Sequence, residues 1–556
     1  MNKTALTKTY TKDIQNFCLN SKKIVLSLAT ISFSASCAHA TPEIETYEEA
    51  NRHTKARSAL RSTNSNNKTI ISSLQNSTQT VSGTGNTLVI ESGGTITISN
   101  GGQQAVNFTQ GSSTSTFLNQ GTLIGGNNAA SVQLGANRNN GVTIETFDNQ
   151  GIIGNGFSKY GVTVWGNNNK STINNFSNSG TIHSSAGESI YFGNANISSF
   201  ANSGTIKSKQ GAGVNISQGT SIGNFNNTGT IEGKKDGIQI NANVKTLTNK
   251  GTIKGDGISI RLNGTIETLT NEGIMDGKST GIYMNKGFVK TLTNSGTINQ
   301  NNSATWAAGI KLQSNSTIEN IINTGSIHSN AFGISVTGGK FGTLTIKNGG
   351  AVYAKYSAIG VGRSQTLGDL YIDGSSSKIY GEENGIVLDA NSRTQKIELK
   401  NGGIIKGKIH GIRLDDGASL SGEMILSGEG SRVEGGSGAG ILNRSGKIEG
   451  SITIKDGATV TATSNHAIAN YLSGSITGGI TVSGKNTKLQ GNISNIGNAY
   501  IGSDIKIKDG AKVEGGLVNQ GNGSISGSVQ VSGGSSIDSI TNEGNGVISG
   551  SITVDK

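Results

Sequence analysis

Apolar residues in this chain stand mostly alone, and they return at fixed places. The phrase "LTNKGTIKGDGISI" (247–260) comes back as "LTNEGIMDGKSTGIYM" and again as "LTNSGTI". Its Asn-x-Gly element places Asn at 119, 149, 178, 202, 227, 249, 271, 294 and 323, at intervals of 22 to 30 residues. Ahead of these stand Leu118, Phe147, Phe176, Phe200, Phe225, Leu247, Leu269, Leu292 and Ile321, nearly always two residues upstream. An x-Ile pair follows the Gly, as at Ile182, Ile206, Ile231, Ile253 and Ile298. A third run then alternates, as in "GVTV" (161), "GVNI" (213), "GIQI" (237), "GISI" (257), "GIKL" (309) and "GISV" (333). Each run has the period of two that marks a strand with one buried face.

From about residue 341 the wording changes while the period holds. Runs such as "LTIKNGGAV", "ITIKDGATV" and "IKIKDGAKVEGG" begin at 344, 370, 397, 424, 452, 480, 505, 529 and 552. Three short alternating runs per repeat predict an all-β fold, a right-handed parallel β-helix (β-solenoid) of about 20 rungs. At ~4.8 Å per rung the column should measure roughly 90 to 100 Å. In this reading Leu247, Asn249 and Ile253 point inward, with Ile258 and Ile260 on the third face. The Asn residues bond from rung to rung in a ladder, and Gly supplies positive φ at the turns. Leucine-rich repeats would need a denser Leu pattern, and a propeller longer blades. A trimeric, triple-stranded β-roll is the nearer rival. The repeats divide into 76–340 and 341–556, preceded by a non-repeating cap or linker, 41–75.

Composition agrees with a turn-rich β protein: Gly is 84 of 556 residues, Pro occurs once and aromatics make up 5%. Residues 1–40 read as an export signal. Lys3, Lys8, Lys12, Lys22 and Lys23 precede the apolar run Ile24 to Phe33, and Ala38-His39-Ala40 fits the small-x-small cleavage rule. That apolar run falls short of the roughly 20 residues a membrane span needs. Without this segment the net charge drops from +11 to +7, with 41 basic and 34 acidic residues left, scattered, so nucleic acid is not an expected partner. Both cysteines, Cys18 and Cys37, leave with it. A Cys-free exported chain suits passage through a second membrane unfolded.

The long signal, the Cys-free body and the Gly/Asn-rich rungs together resemble the passenger region of a bacterial autotransporter. "FSNSGTI" and "LTNSGTI" are similar to phrases in epsilonproteobacterial members of that family. The resemblance implies export by the Sec machinery and an outer-membrane β-barrel translocator. That barrel is supplied in cis if the chain is part of a longer one, and otherwise in trans. It also implies a location on the bacterial cell surface or outside the cell, and adhesion to a host glycan or protein or to sister passengers. The alternatives are a toxin-like secreted passenger and a polysaccharide-degrading β-helix enzyme.

No catalytic constellation emerges, so the chain is not read as an enzyme, and no metal or cofactor is expected. "KIHGIRLDDG" gathers His410, Arg413, Asp415 and Asp416, but neighbouring strand residues face opposite ways, and a solvated turn is the simpler reading. Glu382 and Glu383 read the same way. His183 and His328 hold matching places six rungs apart, about 29 Å at ~4.8 Å each, which rules out a shared metal. "GGSGAG" (435–440) opens no helix, so phosphate binding is not expected. Trp165 and Trp306 are expected to be buried at rung edges, with a sugar-stacking platform as the alternative.

Overall fold

The computed structural model describes residues 67–135, 141–166 and 169–555. Residues 1–40, read from the sequence as an export signal, and residues 41–66 lie outside this range. Every regular element among the described residues is a strand, and each strand pairs in parallel with its counterparts in the adjacent turns. The result is a parallel β-solenoid of about 19 turns.

One turn shows how the repeat is built. Its strands are Asn243–Asn249, Thr252–Gly255 and Ile258–Leu262. These strands head three columns, called first, second and third here. In the first strand Val244, Leu247 and Asn249 face inward, while Lys245 and Thr246 both face out. Two outward neighbours in a row break the strict alternation, and the adjacent turns do the same in register. Ile253 and Ile260 are fully buried and Ile258 nearly so, as the sequence predicts.

Register is fixed by stacking like on like. Leu247 lies over Leu269, and Leu269 over Leu292. Towards the N-terminus the same row becomes a pile of rings, Phe117, Phe147, Phe176, Phe200 and Phe225, with centroids 4.8, 4.4, 5.0 and 4.3 Å apart. Phe117, rather than Leu118, belongs to this row; Leu118 pairs with Asp148 on the outward face. Towards the C-terminus the row continues from Ile321 to Leu344, Leu370, Ile397 and Met424. The two repeat dialects therefore share one register. A fully buried aliphatic side chain contributes about 1.5–3 kcal/mol, and the core forms one continuous cluster from Ile71 to Val531.

The predicted ladder is present. Asn249 Nδ2 donates to Asn271 Oδ1 at 2.8 Å, to the Gly251 carbonyl at 3.2 Å and to the Ile274 carbonyl at 3.1 Å. The same amide-to-amide bond links Asn119, Asn149, Asn178, Asn202 and Asn227 to one another and on to Asn249, then Asn271 to Asn294 and Asn323. Beyond Asn119, whose Oδ1 finds no donor, the side-chain amides of these corners are satisfied without charge.

The corner glycines work differently from the expectation. Gly251 and its equivalents do not have positive φ. A Cβ on Gly251 would instead run into the Gly229 carbonyl of the turn before, and Gly273 stands in the same relation to Gly251. That carbonyl accepts the Thr252 N–H at 2.9 Å, so the turns are drawn too close for any side chain at the corner. Positive φ appears at the corners of the second dialect, for example at Asn348, Gly349, Asp456 and Gly457.

The dialect change is a relocation of corners. In the first dialect the first-column strand is unbroken and the other two are separate. Later the first column splits, as in Ser475–Ile476 and Ile480–Ser483, while the other two fuse, as in Lys488–Gly497. A second ladder, which the sequence reading missed, then runs down the third column through Asn443, Asn470, Asn495, Asn519 and Asn542, each bond 2.7–2.8 Å. At the other end, residues 68–75, grouped by sequence with the non-repeating segment, already belong to the column. Lys68–Ile71 pairs with Thr87–Ile90, and Leu74–Gln75 with Thr95–Ile96.

Candidate ligand-binding pocket

A solenoid offers flat sides, so any concavity needs an interruption of the stacking. One occurs in the 14-residue strand Thr459–Leu472. Its register with the following turn runs from Thr459 to Thr461, resumes at His466 and shifts again before Ile468. Residues 462–465 take no partner in that ladder and project from the column. Thr463 Oγ1 and Ser464 Oγ tie them to the Gly436 and Gly438 carbonyls, both at 2.7 Å.

Beside this projection lies an outward cavity of about 300 Å³. Its floor is Leu442, Ala469 and Ala439, a small apolar cluster separate from the main core and partly covered by Tyr471. Leu442 and Ala469 are register neighbours on the outer face, only 7% and 1% exposed. His410 and His466 also line it, with Ser437, Ser464, Arg444 and Leu472. The Ala439 N–H donates to His410 Nδ1 at 2.9 Å, which requires that nitrogen to be unprotonated. The His410 ring lies where a side chain on Gly438 would be. His466 Nδ1 is 3.0 Å from Ser494 Oγ, and Tyr471 Oη is 3.1 Å from both ring nitrogens. Burial lowers the pKa of both imidazoles, and the charge of Arg413 lowers that of His410 further. Both effects favour the neutral imidazole.

Two features that the sequence singled out separately thus meet in space. His410 and the Gly435–Gly440 stretch form one wall, and the glycines let the chain fold over the ring. The acidic pair behaves otherwise. Arg413 Nε donates to Asp415 Oδ1 at 2.8 Å, which ties up that carboxylate, and Asp416 is exposed in the turn that follows. Glu382 faces Lys408 at 3.6 Å across adjacent turns. His183 and His328 lie six turns apart in the second column; His328 is exposed, and its ring centroid is 6.2 Å from that of Tyr353. Trp165 is half-buried against Tyr191, ring centroids 4.6 Å apart. Trp306 departs from expectation. It is 55% exposed, because residues 301–307 form a loop ahead of the third-column strand. Lys311, buried beneath it, donates to the Trp306 carbonyl at 2.6 Å.

Among the described residues no three His, Cys, Asp or Glu side chains gather closely enough to hold a metal ion. The pocket can therefore bind through shape, neutral hydrogen bonds and one guanidinium. No protein-family model, no curated protein and no solved structure matches this chain.

Proposed function

We propose that this chain is the passenger of an autotransporter-like surface protein and works as a non-enzymatic adhesin. The reading draws on the signal-like N-terminus, the Cys-free repeats and the continuous solenoid. The observation that carries it is the outer face of the first column. There Thr246, Thr268 and Thr291 stand in register beside Thr248, Thr270 and Thr293, a regular array of side-chain hydroxyls across three turns, continued by Asn224 and Asn226 on one side and Asn320 on the other. Such a face holds a partner by many weak bonds that add along its length. The fold itself is compatible with a passenger role. Its partners are a host glycan or protein, or a sister passenger; a Sec translocon and an outer-membrane β-barrel deliver it.

The test compares a strain lacking the protein with its parent, for adherence to host cells and matrix and for autoaggregation. Loss of either behaviour, restored by complementation, is the expected result. Equal behaviour in every assay, with the protein displayed and protease-accessible on the parent's surface, removes the adhesive role. Failure to reach the cell surface removes the passenger assignment.

A further inference from the structure

We infer that the pocket beside the 462–465 projection takes the carboxylate-bearing sugar residue of an acidic glycan, with Arg444 pairing to its carboxylate. The argument begins with Arg444 itself. In neighbouring turns Arg413 is bonded to Asp415, and Arg432 to Glu434. Arg444 is exposed, lines the pocket and has no carboxylate within ion-pair distance among the described residues. Its planar fork of donors matches a carboxylate two bonds at a time.

The rest of the cavity restricts what else the ligand carries. The Leu442 and Ala469 floor, with the half-buried Tyr471 ring, offers an apolar seat to one face of a saturated ring. His410 already accepts at Nδ1, which leaves Nε2–H as a neutral donor. Ser437 and Ser464 add hydroxyls at the rim. An acidic amino-acid side chain would engage Arg444 but leave most of the ~300 Å³ unfilled. A neutral aromatic or aliphatic group would fill the seat and leave the Arg444 donors bonded only to water. A hydroxylated ring bearing a carboxylate meets both demands. Hexuronates and nonulosonates share that chemistry.

The ligand class deepens the adhesive reading and rests on it only for its biological setting, because binding is measured on the free chain. The experiment titrates the full purified chain with methyl β-glucuronide, with the methyl α-glycoside of N-acetylneuraminic acid and with neutral methyl β-glucoside. Calorimetry and ligand-observed NMR report binding. Saturable one-site binding of at least one acid is expected, at least tenfold tighter than the neutral sugar. Whichever acid binds identifies the source. Arg444→Gln, at an exposed position, should weaken binding at least tenfold while leaving the unfolding midpoint unchanged. Leu472→Glu, exposed at the rim, should weaken it similarly by placing a like charge beside the carboxylate. Neutral and acidic sugars binding alike, binding undiminished in Arg444→Gln, or no saturable binding each overturns the assignment. Adhesion that persists without sugar binding removes this inference alone, whereas sugar binding without any adhesive phenotype removes the adhesin reading alone.

Discussion

Asn323 and Ile346 occupy the same register position on successive turns. Between them the first column changes the way it makes a corner. Upstream that position is Asn; downstream it is Ile346, Ile372, Leu399 and Leu426, all fully buried. The reverse exchange takes place in the third column, where Leu414 lies under Asn443. The turns between the two exchanges have neither ladder.

Replacing one member of the first ladder should be costly and local. Asn271→Leu leaves Asn249 Nδ2 without its Oδ1 partner and Asn294 Oδ1 without that amide's chain, and it strips a donor from the Gly273 and Thr297 carbonyls. At about 1–3 kcal/mol for each unsatisfied buried group, the loss should exceed about 2 kcal/mol. Amide exchange should quicken at Gly273 and Thr297 and stay unchanged several turns away, since solenoid turns contact only their neighbours.

Each ladder begins with an orphan. Asn119 Oδ1 and Asn443 Oδ1 are buried and find no donor, because no Asn precedes them in register. Leu414→Asn places an amide directly beneath Asn443. It should cost about 1–3 kcal/mol less than Leu388→Asn, one turn earlier, where no orphan waits. Denaturant midpoints of the two variants make the comparison, and equal losses would show that Asn443 is already satisfied by other means.

Corner glycines should split into two kinds. Gly251→Ala forces a methyl group into the Gly229 carbonyl and has to push two turns apart. It should cost well beyond the ~1 kcal/mol that separates Ala from Gly by propensity, and in the opposite direction. Gly349 has φ +83°, and the nearest atom to a Cβ there, Ser376 Cβ, is 3.6 Å away. Gly349→Asn should therefore be mild, because Asn tolerates the left-handed region. Thermal melts of both variants test the contrast.

Acid should weaken the fold in a defined order. The imidazoles of His183, His410 and His466 sit below their ordinary value of 6.5, chiefly through burial, with Lys209 and Lys207 adding to it at His183. As pH falls through about 6.5 the unfolded chain takes up these protons first, so stability declines from there and is level above about 7. At lower pH the carboxyl of Asp504, held down by the Ser528 N–H and by Lys506, extends the loss. Unfolding midpoints from pH 8 to 5 should show this profile, and His183→Gln should reduce the slope between 6.5 and 5.

Much of the column was legible because its rows are written in register. Leu247, Leu269 and Leu292 each stand two residues before the Asn, so spacing alone aligns them. At 117–119 two apolar residues adjoin, and spacing could not choose Phe117 over Leu118. Gly251 announced a corner but not its reason, since closeness to the Gly229 carbonyl exists only between turns. The second ladder escaped notice because the interval from its Asn to the next Ile varies, five residues after Asn443 and six after Asn470. The pocket was the least legible part. It depends on four residues, 462–465, leaving their strand and folding against a glycine stretch one turn away.

The ladder amides all point one way, and this gives the solenoid a sense as well as a shape. From Asn119 onward each side chain hands its N–H forward to the next coil, and every member after the first receives one from behind. Such a stack of aligned dipoles has unlike poles: the first ladder opens on the bare lone pairs of Asn119 Oδ1 and closes on the Asn323 amide, which donates to the Gly325 and Ala351 carbonyls. Any side chain set in register ahead of Asn119 or Asn443 must offer a hydrogen to the oxygen it meets. An amide there would lengthen the chain head to tail, whereas the Ile90 and Leu414 that hold those places leave the oxygen bare.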